Sequence, residues 1–329
     1  MSAAAAPTSG APPAPALAGR VVARFGRRCI VALDPPAPAA PAAQATHATQ
    51  AAGALEVDAV PRGRRLDVVV GDRVHCSRER ELHIIESVAP RRNLLFRSDA
   101  HRTKPLAANV DQIAIVFAMQ PPPQKEFIWR ALLAARSAGV GSIAILNKTD
   151  LESGTALAIL ADIGALGGRV LRVSARTDPQ GTRAVVADEC SGRVTLLVGQ
   201  SGMGKSTLIN LLVDAETRTG ALSRGGTHGR QTTTATRWYD YGSAGALIDT
   251  PGFHEFGLAH LAAAELVRWL PEFAAITEPC RFADCHHAEE PGCRIREALQ
   301  RGAIAADRYA FYRKLCAEEL EQRRAERGF

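Results

Sequence analysis

The sequence predicts a multidomain α/β protein. A small β-barrel comes first, then a parallel sheet with helices on both faces, then a helical segment organised around cysteine and histidine. Three observations carry this. Residues 66–85 hold short apolar runs split by glycine and charged turns. From about Val110, buried-type apolar runs alternate with stretches of helical periodicity. Beyond Pro271 the strand-like runs stop, and Cys280, Cys285 and Cys293 cluster with His286 and His287.

The first twenty residues, MSAAAAPTSGAPPAPALAGR, have no basic start and no apolar core. They read as a disordered tail (1–19) and not as a signal peptide. Residues 20–34 alternate apolar and basic positions around a glycine, which predicts a bent strand or hairpin. The Ala/Pro-rich stretch 35–54 is a low-complexity insert and predicts a flexible loop. Strand-like runs resume at Leu66–Val70, Arg73–Cys76 and Leu82–Ile85, completing an OB-like barrel over 20–107.

The chain carries a net charge of +6. Residues 1–107 hold 15 Arg and Lys against 9 Asp and Glu, a balance of +6, so the rest of the chain sums to zero. A basic first domain favours a polyanionic partner, most simply nucleic acid. No apolar run approaches the roughly 18 residues that a membrane span needs. Only five lysines occur, and two of them, Lys148 and Lys205, fall inside nucleotide motifs. The three clustered cysteines have metal spacing suited to a reducing compartment. Cys29, Cys76, Cys190 and Cys316 are scattered and read as free thiols.

In the α/β region the strands IAIVFA (113–118), SIAIL (142–146), VLRV, VTLLV (194–198) and ALI (246–248) alternate with helical stretches such as 126–139. Ligands of parallel sheets sit at the carboxyl ends of the strands, and each motif here follows such a strand. Gly199-Gln200-Ser201-Gly202-Met203-Gly204-Lys205-Ser206-Thr207 fits a phosphate-binding loop. Its glycines let backbone N–H groups turn toward phosphate oxygens, and the helix that starts near Lys205 adds its positive end. Lys205 is expected on the β- and γ-phosphates and Ser206 on Mg²⁺. Asp249-Thr-Pro-Gly252 follows the next strand: Asp249 suits a Mg²⁺-bound water, and Gly252 can offer its N–H to the γ-phosphate. Between them lies SRGGTHGRQTTTAT (223–236), where Thr232 or Thr233 is the candidate for a threonine that closes on Mg²⁺.

Asn147-Lys148-Thr149-Asp150 follows the strand 142–146. The Asp150 carboxylate can accept paired hydrogen bonds from guanine N1–H and its exocyclic amine, a donor pair that adenine lacks. Asn147 would brace the loop, and the Lys148 stem would cover the base. Ser174 and Ala175 fit the backbone contact to the guanine oxygen. The motif order is therefore base-reading, base-supporting, phosphate loop, threonine switch, DTPG. An ordinary GTPase begins at the phosphate loop, so the same cycle has been opened at another bond.

With LAANVDQIAIV (106–116), NKTDL, Ser174–Ala175, GQSGMGKSTLIN, GRQTTTA, DTPGFHEFGL and the Cys/His cluster, the sequence resembles the circularly permuted GTPases of small-ribosomal-subunit biogenesis, the RsgA (YjeQ) family. The resemblance runs from about residue 20 to the end. It implies an OB fold that binds rRNA (20–107), a permuted P-loop GTPase core (108–270) and a zinc-binding helical domain (271–329). It also implies a monomeric cytoplasmic protein that hydrolyses GTP to GDP under stimulation by the small subunit, late in that subunit's maturation. Spacing alone offers Cys280, Cys285, Cys293 and one histidine as a closed, structural Zn²⁺ set; the resemblance selects His287.

Two features depart from the family. Many members place a histidine before the threonines as a candidate for positioning the attacking water, and here that position is Gln231, with His228 nearby. The insert 35–54 has no assigned role. Lys205, Thr233 and Gln231 are the catalytic candidates. Phe253 stands where many GTPases place a water-positioning glutamine, so slow intrinsic turnover is expected. The reading from another class is an RNA-binding assembly factor that uses GTP as an occupancy switch with negligible turnover. A P-loop ATPase or kinase is disfavoured by Asp150.

Overall fold

The computed structural model describes residues 17–35, 54–99, 102–151, 156–213, 235–242 and 244–327. These residues pack as two compact units: residues up to 68 together with 72–90, and residues 69–71 together with 91 onward.

The first unit is a five-stranded barrel of β1 (Leu17–Phe25), β2 (Arg28–Leu33), β3 (Glu56–Pro61), β4 (Arg73–Glu79) and β5 (Leu82–Val88). β1 pairs with β2, β2 with β3, β3 in parallel with β5, β5 with β4, and β4 back with β1, so no edge is left. The expected hairpin over 20–34 is present, turning at Gly26 with φ +62°. The register shifts between Val21 and Ala23, which bends β1. Val21, Val31, Ala59, Val74, Cys76 and Ile85 fill the interior with Cys29. Leu66–Val70 is not a strand: Val70 makes one isolated bridge, to Ala107. Leu66 and Val68 are apolar because they pack on the barrel core, not because they pair. The expected insert falls almost wholly outside the described residues.

The second unit starts with a hairpin, β6 (Leu94–Asp99) and β7 (Arg102–Ala108). The sequence reading assigned these residues to the barrel. They group instead with the later chain, because Ser98 N–H donates to Glu255 O and Gly257 N–H to Phe96 O, both at 3.1 Å. Then follow β8 (Gln112–Phe117), α1 (Lys125–Ser137), β9 (Gly141–Leu146), α2 (Ala156–Ala165), β10 (Arg169–Arg172), α3 (Pro179–Cys190), β11 (Val194–Val198) and α4 (Lys205–Leu212). β12 (Arg237–Tyr241) and β13 (Gly245–Asp249) complete the sheet, in the order β10-β9-β8-β11-β13-β12.

The pairs from β10 to β13 are parallel, as expected; β8, β11, β13 and most of β9 are buried on both faces, whereas the edge strand β10 buries only Leu171. β12 departs from expectation: a short turn brings the chain back antiparallel to β13, a strand that helix-strand alternation cannot reveal. The direction of winding reverses between β8 and β11, where ligand crevices form in such sheets. Gln112 pins that pair by donating through Nε2 to Thr195 Oγ1 at 2.9 Å and to Glu189 O at 2.8 Å.

Past Pro271 the chain is helical apart from the Cys/His loop. α5 (Ala263–Trp269) and α6 (Pro271–Ala274) precede that loop; α7 (Arg294–Gln300) and α8 (Ala306–Arg327) follow it. The N-terminal half of α8 is docked on α1. Lys314 reaches Glu126 at 2.6 Å, Lys125 reaches Asp307 at 3.3 Å, and the Arg308 guanidinium lies 3.9 Å from the Trp129 ring centre. Glu272 neutralises Arg308 at 2.8 Å. Among the described residues no helix is long and apolar enough to cross a membrane.

Candidate functional site

Asn147 stands at the carboxyl end of β9 and is 2% exposed. Its Nδ2 donates to Met203 O at 3.1 Å, inside the phosphate loop. Its Oδ1 accepts from Ala175 N–H at 3.1 Å, in the loop after β10. One buried amide thus ties its own loop to the two loops beside it. The approach is close enough to exclude side chains: a Cβ on Gly204, whose φ is +91°, would lie 2.2 Å from Asn147 Nδ2. Gly199 is constrained in the same way, since its Cβ would meet Val116 O at 2.6 Å. These two glycines are required by contact, not only by turn geometry.

Lys148 has φ +60° and extends across the loops, donating from Nζ to Gly202 O at 2.6 Å and to Gln120 O at 3.0 Å. Thr149 donates through Oγ1 to Val173 O at 3.2 Å. Asp150 ends up among donors. Ser174 Oγ, 7% exposed, donates to its Oδ1 from the protein side, and Arg176 reaches its Oδ2 at 3.1 Å from the solvent side. The Ser174 hydroxyl, then Arg176, hold the Asp150 carboxyl below the ordinary range.

In the phosphate loop, Gln200 Oε1 accepts from Gln124 N–H at 3.0 Å, and Met203 is buried. Gly202 takes φ +80°. Ser201, Gly202, Ser206 and Thr207 are exposed, with Ser206 and Thr207 in the first turn of α4. Lys205 Nζ meets Asp249 Oδ1 across the loop. Thr250 donates to Leu197 O at 2.9 Å, which seats DTPG beside β11. Gly252 is exposed with φ +65°. Phe253 turns inward against Phe256 and Phe127, with ring centres 4.7 Å and 6.0 Å away. Gln231, Thr232, Thr233 and His228 lie outside the described residues.

Three contributors are missing from the sequence analysis. Gln120 and Gln124 lie in the loop after β8, at the carboxyl end of a parallel strand, and that position was the available signal. Arg176 follows the Ser-Ala pair directly and could have been found by asking what neutralises Asp150.

Cys280, Cys285, His287 and Cys293 bring their ligand atoms within 4.8 Å of one another. His287 Nδ1 lies 3.6 Å from Cys280 Sγ and 3.4 Å from Cys293 Sγ. A tetrahedron with Zn–S near 2.3 Å and Zn–N near 2.0 Å has an S···N edge of about 3.5 Å, so the donor set fits zinc. Burial, then the thiols of Cys293 and Cys280, push the Cys285 thiol up, so that without a cation it stays a neutral thiol. His287 sits at φ +56°. The loop is also held from outside: Tyr309 OH donates to His287 O at 2.6 Å, and Arg313 to His286 O at 3.0 Å. Glu290 accepts from the backbone N–H groups of His286, Ala288 and Glu289, and its own backbone N–H, then that of His286, lowers its carboxyl to about 2.

Base-reading loop, phosphate loop and DTPG meet at one edge of the sheet in permuted order, the arrangement of a circularly permuted P-loop GTPase. The RsgA GTPase family model matches residues 88–259. The chain is 45% identical to the small ribosomal subunit biogenesis GTPase RsgA of Burkholderia pseudomallei (strain K96243) over 304 residues, 91% of each chain. It is 42% identical to the protein of the same name from Paraburkholderia xenovorans (strain LB400) over 317 residues, 94% of this chain and 95% of that one. The crystal structure of YjeQ from Thermotoga maritima superposes with a TM-score of 0.60 at 26% identity, covering 93% of this chain and 99% of that one. YloQ, described as a circularly permuted GTPase, shares the fold with a TM-score of 0.59 at 22% identity, covering 93% and 96%. The chain belongs to the RsgA GTPase family, a class of GTP hydrolases.

Proposed function

We propose that this protein hydrolyses GTP while bound to the maturing small ribosomal subunit. The observation that carries the reading is Asn147, whose side chain ties the base-reading loop to the phosphate loop, so that one guanine nucleotide spans both. Asp150 selects guanine through its paired donors. The backbone of 199–204 and the Lys205 ammonium stabilise the phosphates, with Lys205 exchanging Asp249 for phosphate oxygens. Ser206 and Thr233, with Asp249 through a water, would hold the Mg²⁺ that arrives with GTP, which would supply charge neutralisation at the phosphates. Gly252 would sense the γ-phosphate, and Gln231 would orient the attacking water.

Zinc fits Cys280, Cys285, His287 and Cys293 as a structural ion. The barrel, with its basic excess, supplies the rRNA-binding surface, and the zinc-binding segment a second one. The domains so defined are the barrel, the permuted core and the zinc segment; the protein acts as a cytoplasmic monomer.

Because Phe253 is turned into the core, the site is incomplete alone, and isolated protein should turn over slowly. Adding small ribosomal subunits should raise phosphate release by about 10³-fold or more, the scale that partner-completed GTPase sites reach. Equal rates with and without subunits, at saturating GTP, would favour the occupancy-switch reading instead.

Binding should also follow the ionisation of Asp150. Asp150, held below the ordinary carboxylate value near 3.9, stays ionised in the free folded protein until pH falls below that value. GDP affinity should therefore stay flat from about pH 8 down to about pH 4 and fall only below it. A loss centred between pH 6 and 7 in fluorescence titrations would point to a histidine.

A further inference from the structure

Arg130 is the largest fully buried side chain among the described residues, with 0% exposure, and it lies on α1 away from every nucleotide motif. Its guanidinium joins three parts of the second unit. Nη1 donates to Glu318 Oε2 on α8 at 3.0 Å, and Nη2 meets the other oxygen of the same carboxylate. Nε lies 3.2 Å from Glu255 Oε2, and Nη1 lies 3.4 Å from Phe256 O. The Phe311 ring of α8 covers the guanidinium at 5.9 Å. A desolvated cation held this way is costly to leave short of a partner, so its three neighbours are fixed relative to one another.

Glu255 and Phe256 end the segment that begins with Asp249-Thr-Pro-Gly252. Glu255 O accepts from Ser98 N–H of β6, Phe256 bridges to Arg97, and the next residue, Gly257, donates to Phe96 O, so this end of the segment is an anchor. Phe253, packed on Phe256 and on Phe127 of α1, ties the anchor to the DTPG turn. Glu318 is more than sixty residues further along the chain than the segment it would steady.

We propose that Arg130 is a positioning residue through which α8 fixes the anchored end of the γ-phosphate-sensing segment, so that GTP-dependent steps, but not GDP binding, require the Arg130–Glu318 pair. The proposal rests on the reading of Asp249–Phe256 as that segment. A GDP-bound site makes no demand on Gly252 N–H, whereas γ-phosphate recognition needs the DTPG turn at a defined place. Loosening the anchor spreads the turn over many positions and penalises only the GTP-dependent states.

The test uses the full chain in two variants. Glu318→Gln removes the ionic arm from α8. Arg130→Met/Glu318→Leu replaces the buried pair with apolar groups, an exchange often neutral for stability, and so guards against simple misfolding. Hydrogen exchange of the Gly257 amide should accelerate in both. GDP affinity should stay within about twofold, while affinity for a non-hydrolysable GTP analogue and kcat should each fall about fivefold or more, the range of coupling through packed networks. Equal loss of GDP and analogue affinity, or a lowered melting temperature with kcat and analogue affinity unchanged, would overturn the proposal. A wild-type chain that binds no guanine nucleotide would instead refute the functional reading. Unchanged Gly257 exchange would then still overturn the role of Arg130, and accelerated exchange would support its hold on the segment.

Discussion

Asp150→Asn should exchange the base preference of this protein. Guanine presents two donors, N1–H and the exocyclic amine, to a carboxylate that can only accept. The amide of asparagine turns one acceptor into a donor, so one guanine donor faces another. Two hydrogen bonds to a charged acceptor are worth about 1.5–3 kcal/mol each, so GDP affinity should fall by about 10²–10⁴. Xanthine, with a carbonyl in place of the amine, accepts from the new amide, and its affinity should rise. Ser174 and Arg176 leave the fold little dependent on the change, because Ser174 can still donate to the amide oxygen. Parallel titrations with fluorescent GDP and XDP measure the shift. Retained guanine preference would remove the reason for setting aside an ATPase or kinase.

Removing the metal should cost the C-terminal segment its structure. Residues 275–293 contain no α-helix or strand, and what orders them is the Cys280–Cys285–His287–Cys293 cluster with the clasp of Tyr309 and Arg313. Structural zinc contributes about 10–16 kcal/mol in finger-sized peptides, more than this loop could recover from its own packing. Cys285→Ser, or a strong chelator, should lower helical content and make residues 276–305 protease-sensitive. Wild type should hold one zinc per chain by elemental analysis, and Cys316→Ser should keep it. The loss should extend along α8, since His286 and His287 carbonyls anchor Arg313 and Tyr309. A chain that binds no zinc and melts identically after chelation contradicts the structural role.

β9, β11 and β13 were legible because a strand buried on both faces is a continuous apolar run, and at their carboxyl ends stand asparagine, glycine and aspartate. The glycine pattern at 199–204 and the spacing at 280–293 were legible for a related reason: the chemistry restricts residue type at fixed intervals. What escaped was set by partners distant in sequence. β6 and β7 carry Arg97, Arg102 and Lys104 and look like more of the basic barrel, yet backbone pairing with residues 255–257 assigns them to the second unit. Leu66 and Val68 read as a strand because packing on a core demands the same residues as pairing does. Arg130 stands in a stretch of plain helical periodicity; only the approach of Glu318, 188 positions later, makes it a buried hub.

Occupancy of one nucleotide by both loops is tested most directly by a crystal structure of the full chain with a non-hydrolysable GTP analogue and Mg²⁺. The Asp150 carboxylate should lie within hydrogen-bond distance of guanine N1 and its amine, with Lys205 Nζ moved from Asp249 to the β- and γ-phosphates. An analogue gripped by Lys205 while Asp150 stays with Ser174 and Arg176, its carboxylate turned from the ring, would contradict the account.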